Sequence, residues 1–212
     1  AAWRMFPCWP AGLNTNATPR AKPGGFWSLL ADTGFRRLLV IGLINALPTG
    51  ITATLFLFFV HDRLAAPEHI GPALLLFFLA AAAAAPLWAR IAVRTGAKPA
   101  MLAGMLLSIA VFAVALTLGA GDWAAFYLIS AVSGAAVGAD MTLLPAMLSR
   151  RLAEAGHSPS YAFGLWGFVN KFSLALAAGL ALPALDAAGF VPGAQNQPEA
   201  LLALSLAYGG VP

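Results

Sequence analysis

Asp140 and Lys171 are the two side chains whose placement demands a chemical explanation. Each is the lone charge in a long apolar run, Asp140 between Trp123 and Leu148, Lys171 between Tyr161 and Leu185. Both runs are long enough to cross a bilayer, and ionisable groups in hydrocarbon are costly and rarely face lipid. Asp140 stands ten residues before Arg150, and Lys171 ten residues after Tyr161. At the helical rise each lies roughly 15 Å from the basic loop that joins the two runs, so they share a depth near mid-membrane. If the helices turn these groups toward each other, pairing offsets part of the cost of burying each. Two readings follow: an acid and a base lining a polar pathway, or a salt bridge locking two helices. The first is favoured, because ionisable residues inside membranes are functional by default.

The elements that must position them are set by composition. Hydrophobic residues make up 60% of the 212 and charged residues 9%, with mean hydropathy +0.82. A soluble domain carries about 25% charged residues, so this chain cannot cover a water-facing surface and is expected to be an all-α integral membrane protein. The pI near 9.7 does not point to nucleic acid, because the basic residues sit in short groups between apolar runs, the pattern that sets orientation in a membrane. The one cysteine, Cys8, excludes an internal disulfide.

Along the chain, residues 1–25 read as a proline- and glycine-rich linker or tail. The Asn16-Ala17-Thr18 glycosylation pattern there is a chance match, since it falls on the cytoplasmic side. Phe26 to Leu38 suits a short interfacial helix broken at Gly34. Membrane spans are expected at about 38–60, 70–89, 100–118, 123–148 and 161–185, followed by a partial sixth at 200–212. The first carries Asn45, Pro48, Thr49, Gly50, Thr52 and Thr54 at mid-depth. These form either a polar, flexible face on a cavity or ordinary packing through small and polar residues. The alanine run Ala80 to Ala85 and the Gly134-to-Gly138 spacing permit close helix approach. Trp88 and Trp123 are placed as anchors at opposite interfaces, and Pro145 as a kink or an early end. With the N-terminal side inside, ten of the twelve Lys and Arg fall inside, Arg63 falls outside and Lys171 lies in the membrane.

The stretch Pro86-Leu87-Trp88-Ala89-Arg90-Ile91-Ala92-Val93-Arg94-Thr95-Gly96-Ala97-Lys98 resembles the short-loop signature of the major facilitator superfamily. Its basic turn is carried by Arg90, Arg94, Gly96 and Lys98, with Val93 where an acid usually precedes the Arg. GADMTLLPAML from Gly138, FGLWGFVNKFSLALAAGLALP from Phe163 and GFVPGAQNQPEALLALSL from Gly189 are similar to the second half of the glycoside–pentoside–hexuronide:cation symporters, the melibiose-permease-like group. Ala139-Asp140 matches the start of that family's A-D-x-x-D pair, whose second acid is Leu143 here, and Lys171 matches its eleventh-helix lysine. The resemblance covers Phe26 onward. It implies a major-facilitator six-helix half bundle with five full spans and a truncated sixth, corresponding to helices seven to twelve of a twelve-helix transporter.

On that resemblance the chain is a secondary transporter fragment in a bacterial inner membrane, coupling a cation (proton or sodium) to a sugar or related small solute. The N-terminal half, with much of the sugar and cation sites, would be a separate partner. The half-site expected here comprises Asp140, Asn170 and Lys171, with Asn45, Thr49 and Trp166 beside them. Trp166, one turn before Asn170, would stack on a sugar ring or simply pack. The alternative is an inactive remnant or membrane scaffold. An enzyme is not expected: His61, His69 and His157 all fall in loops, no span has metal-ligand spacing, and no cofactor motif is present.

Overall fold

The computed structural model describes residues 26–155 and 159–211. The 1–25 tail, with Cys8 and Asn16, and His157 lie outside the described residues. Seven α-helices follow in order: α1 Phe26–Ala31, α2 Thr33–Phe58, α3 Ile70–Thr95, α4 Ala97–Ala115, α5 Trp123–Ala155, α6 Pro159–Ala187 and α7 Pro198–Gly209. A π-helical turn, Phe59–Arg63, extends α2, and a short 3-10 turn, Pro67–His69, leads into α3. Among the described residues, five helices are long and apolar enough to cross a membrane. The architecture is all-helical among the described residues, and it is consistent with the half bundle that the resemblance implies. Alternate helix starts and ends meet at each face, so the starts of α2 and α4 lie at the same end as the end of α5.

The boundary between α1 and α2 falls at Asp32, not Gly34. The Asp32 carboxylate caps α2, accepting hydrogen bonds from the amides of Gly34 (2.7 Å) and Phe35 (3.3 Å). An N-cap carboxylate satisfies donors that an abrupt helix start leaves orphaned. Arg151, near the end of α5, donates to the same carboxylate at 2.9 Å. Burial raises the Asp32 pKa. The Arg151 hydrogen bond, the two amides and the guanidinium charge outweigh it and hold the carboxyl below its usual 3.8.

Helix α5 is the hub. In lipid the hydrophobic effect does not drive one apolar helix onto another, so close packing must. Gly134 and Gly138 supply it. A Cβ on Gly138 would sit 2.7 Å from the Ala81 carbonyl oxygen, and one on Gly134 would overlap the Phe77 carbonyl. The alanine run of α3 therefore lies directly on Gly138 of α5, and Phe77, one turn earlier, lies on Gly134. On α4, Gly104 plays the same part against Ala139. Trp88 is not an interfacial anchor. It is buried, and its indole N–H donates to the Ala135 carbonyl at 2.7 Å. Helix α3 runs on through Pro86 to Thr95, which carries Trp88 inside the bundle. Trp123, by contrast, is 44% exposed at the start of α5 and stacks on His69 at 4.6 Å.

With inner naming the end of the bundle where α2 begins and outer the opposite end, the outer end is closed by aromatic packing. Phe59 stacks on Tyr208 at 4.1 Å, and Phe126 sits 5.8 Å from Phe59. The Asp62 carboxylate accepts from the Gly193 amide at 2.9 Å, joining the α2–α3 and α6–α7 connections. The inner end is held by Leu29, Phe35, Leu148, Leu152 and Ala162.

Candidate functional site

Between these ends α2 and α6 pack on each other, and α5 does not close on the pair. Asp140 lies 17 residues from the start of α5 and 15 from its end. Asn45 lies 12 residues into α2, and Lys171 12 residues into α6. At the helical rise all three are roughly 20 Å from the inner helix ends, at one level of the bundle.

The partner of Asp140 is Asn45. The Asn45 side-chain amide donates to Asp140 Oδ2 at 3.0 Å. Lys171 does not pair with Asp140. It is exposed on α6 and forms no ion pair within 4.0 Å among the described residues. Equal depth does not fix azimuth. The glycine contacts that seat α6 on α2, with Gly50 against Ala177 and Gly42 against the Trp166 ring, turn Asn170 and Trp166 toward the cleft and leave Lys171 on the open face.

The Asn45–Asp140 pair is a partition with open space on both sides. One cleft, about 470 Å³, is lined by Asn45, Thr49, Asp140, Trp166 and Asn170, with Met141, Leu144 and Pro145 as apolar wall. The other, about 330 Å³, lies toward α4 and is lined by Asn45, Thr49 and Asp140 together with Ser108 and Met105. Five of the six residues expected to form the half-site therefore share one cleft, and Lys171 stands beside it.

The polar band of α2 has the form the cleft needs. Helix α2 continues through Pro48. The Thr49 and Thr54 hydroxyls donate one turn back, to the carbonyls of Asn45 (3.4 Å) and Gly50 (2.8 Å). Asn170 likewise donates to the Trp166 carbonyl at 2.9 Å. Pro145 neither ends α5 nor removes Asp140 from mid-helix, for α5 runs 33 residues without interruption.

Ser108 was not singled out by the sequence. Its signal was faint: it is the lone hydroxyl in the apolar run Met101 to Ala115. The basic-turn residues separate in space. Gly96, at φ 98°, makes the turn between α3 and α4. Gly96 and Lys98 line a different cleft at the inner end, while Arg90 and Arg94 are exposed on the last turns of α3, outside it.

A bundle of membrane-length helices with a half-buried carboxylate and open polar clefts is of a form that fits a transporter-type membrane protein. A family model described as MFS/sugar transport protein matches residues 15–212. The chain belongs to that family, within the major facilitator superfamily. No curated protein matches the chain.

Proposed function

We propose that this chain forms one half of a cation-coupled sugar transporter, the C-terminal half, with Asp140 and Asn45 at the centre of its pathway. The observation that carries the reading is the Asn45–Asp140 hydrogen bond with open clefts on both sides. A carboxylate at mid-depth is affordable only where water or protein meets it. A cleft open on the bundle's flank meets that need once a second six-helix bundle covers it and encloses water and solute. Lys171 supports the same cover. An exposed ammonium at mid-membrane cannot face lipid, so the α6 surface with Lys171, Phe168 and Phe172 would lie against the companion half.

Asp140 then supplies a site for a proton or sodium ion, or a hydrogen-bond acceptor for a sugar hydroxyl. Asn45, Thr49 and Asn170 offer further polar contacts, and Trp166, seated on Gly42, presents an apolar edge for a sugar ring. Rocking of one half against the other would expose the clefts to each side in turn. The distribution of Lys and Arg favours an orientation with the start of α2 facing the cytoplasm, and the likeness to the melibiose-permease-like symporters favours a bacterial inner membrane.

The test is uptake by this segment joined to its companion half in proteoliposomes. Labelled pentoses, hexoses and hexuronides are offered under a sodium or a proton gradient. Accumulation of one sugar under one gradient, lost in Asp140→Asn, is the expected outcome. Unchanged uptake in the double variant Asp140→Asn, Lys171→Gln would sink the pathway role. No accumulation under either gradient would favour a scaffold.

A further inference from the structure

A further open cleft, of about 780 Å³, is separate from those that hold Asp140. It lies at the inner end, where the starts of α2 and α4 meet the end of α5. Its lining carries four cations, Arg37, Lys98, Arg150 and Arg151, against one carboxylate, Glu154. Two of the cations are already engaged, Arg150 with Glu154 and Arg151 with Asp32, each at 2.9 Å. Arg37 and Lys98 have no ion pair or hydrogen bond among the described residues. The Nε of Arg151 is buried without a hydrogen-bond partner. The interior of the cleft is apolar, with Leu38, Ile41 and Met147.

Charge at the rim and hydrocarbon beneath it is a mixed chemistry. A soluble anion would use the rim and leave the apolar wall wet. A phospholipid uses both, its phosphate on the guanidinium and ammonium groups and the start of its acyl chains on the apolar wall. Guanidinium groups suit phosphate oxygens because they offer paired donors in a plane. Basic pockets between helices at the cytoplasmic face hold anionic headgroups on this physics.

We propose that the cleft between α2, α4 and α5 is a binding site for a phosphate group, supplied by an anionic phospholipid headgroup, with Arg37 and Lys98 as the cations that recognise it. The bound lipid would bridge the beginnings of two spans and the end of a third.

The full chain is purified in mild detergent with equimolar phosphatidylglycerol and phosphatidylcholine of matched acyl chains, and retained lipid is counted by native mass spectrometry. The wild type retains phosphatidylglycerol preferentially. The double variant Arg37→Gln, Lys98→Gln changes only exposed side chains, and it loses the preference by roughly fivefold for each charge removed. The control, Arg90→Gln with Arg94→Gln, removes the same charge from the same end of the bundle but outside the cleft, and keeps the preference. Displacement of retained phosphatidylglycerol by millimolar inorganic phosphate supports the phosphate group as what is recognised. Thermal stabilisation of the wild type, but not the Arg37/Lys98 variant, by inorganic phosphate with no preference between lipids keeps the phosphate site and overturns its lipid source. Equal retention of both lipids with no response to phosphate, or equal losses in both double variants, overturns the site.

Discussion

Helix α5 has two faces that differ in kind. Toward α3, and toward α4 at one point, it is close, with Gly134 and Gly138 set against the carbonyls of Phe77 and Ala81, and Ala139 against Gly104. Toward α2 and α6 it is open, with Val137, Asp140 and Met141 on the cleft. One residue separates the two regimes, since Ala139 is fully buried and Asp140 lines open space. Backbone-to-backbone packing makes a wall that cannot shift by much without a clash. The face with few fixed neighbours is the one free to meet a solute or a moving partner. Rigidity and chemistry are thus divided between the two sides of a single helix.

Breaking the close face is the most damaging change. Gly134→Val puts a branched side chain into the Phe77 carbonyl, and no rotamer relieves a clash that begins at Cβ. Overpacking of this kind costs about 1–3 kcal/mol or more. The expected result is a large loss of monodisperse protein in size-exclusion chromatography, with the melting temperature of the remainder lowered. Changing the open face does the opposite. Asp140→Asn keeps a hydrogen-bond partner for Asn45 and removes a charge from the bundle, so thermal stability holds or rises. Uptake in the reconstituted system falls by about tenfold or more, as expected for an interaction with the transported species worth ~1.4 kcal/mol or more. A variant that loses stability and uptake together would mean that Asp140 belongs to the structure and not to the pathway.

Smaller effects sharpen the contrast. Trp88→Phe keeps most of the ring but leaves the Ala135 carbonyl without its donor, for about 1 kcal/mol, read as a modest shift in melting temperature. Asp32→Ala removes the cap of α2 and costs roughly 1 kcal/mol. The same contact gives the mildest signature, a dependence on acid. The Asp32 carboxyl is held below 3.8 in the folded chain. Its contribution is present above the unfolded pKa and is lost as pH falls through the folded one. Wild type therefore loses its advantage over Asp32→Ala only in strongly acidic detergent solution, as measured by the melting-temperature difference between the two across pH.

Much of this was legible in the sequence, and the misses share a cause. Span number followed from hydropathy, because a bilayer imposes one length on every crossing helix. The glycine and alanine spacings announced close packing, because only small residues let backbones touch. Depth was readable as well, since the rise per residue is fixed. Azimuth was not. Asp140 and Lys171 share a level, yet the angle of each helix about its axis is set by side-chain fit with neighbours, and that fit gave Asp140 to Asn45. Trp88 was misjudged for a related reason. Proline 86 and an adjacent Trp look like the end of a span, but neighbouring helices compensate for a lost backbone donor and the helix continues. Ser108 was hidden because one hydroxyl in an apolar helix is usually mere packing.

The length of α5 carries a mechanical consequence. Its 33 residues make a rod of roughly 50 Å, far longer than the ~30 Å of hydrocarbon it has to cross. The surplus emerges into water as an arm. Near the end of that arm Arg151 grips Asp32, at the junction between α1 and α2. A tilt of the rod within the membrane must be felt there as leverage, pulling α1 along with the bundle. Helix α1 is thereby geared to the same axle that carries Asp140.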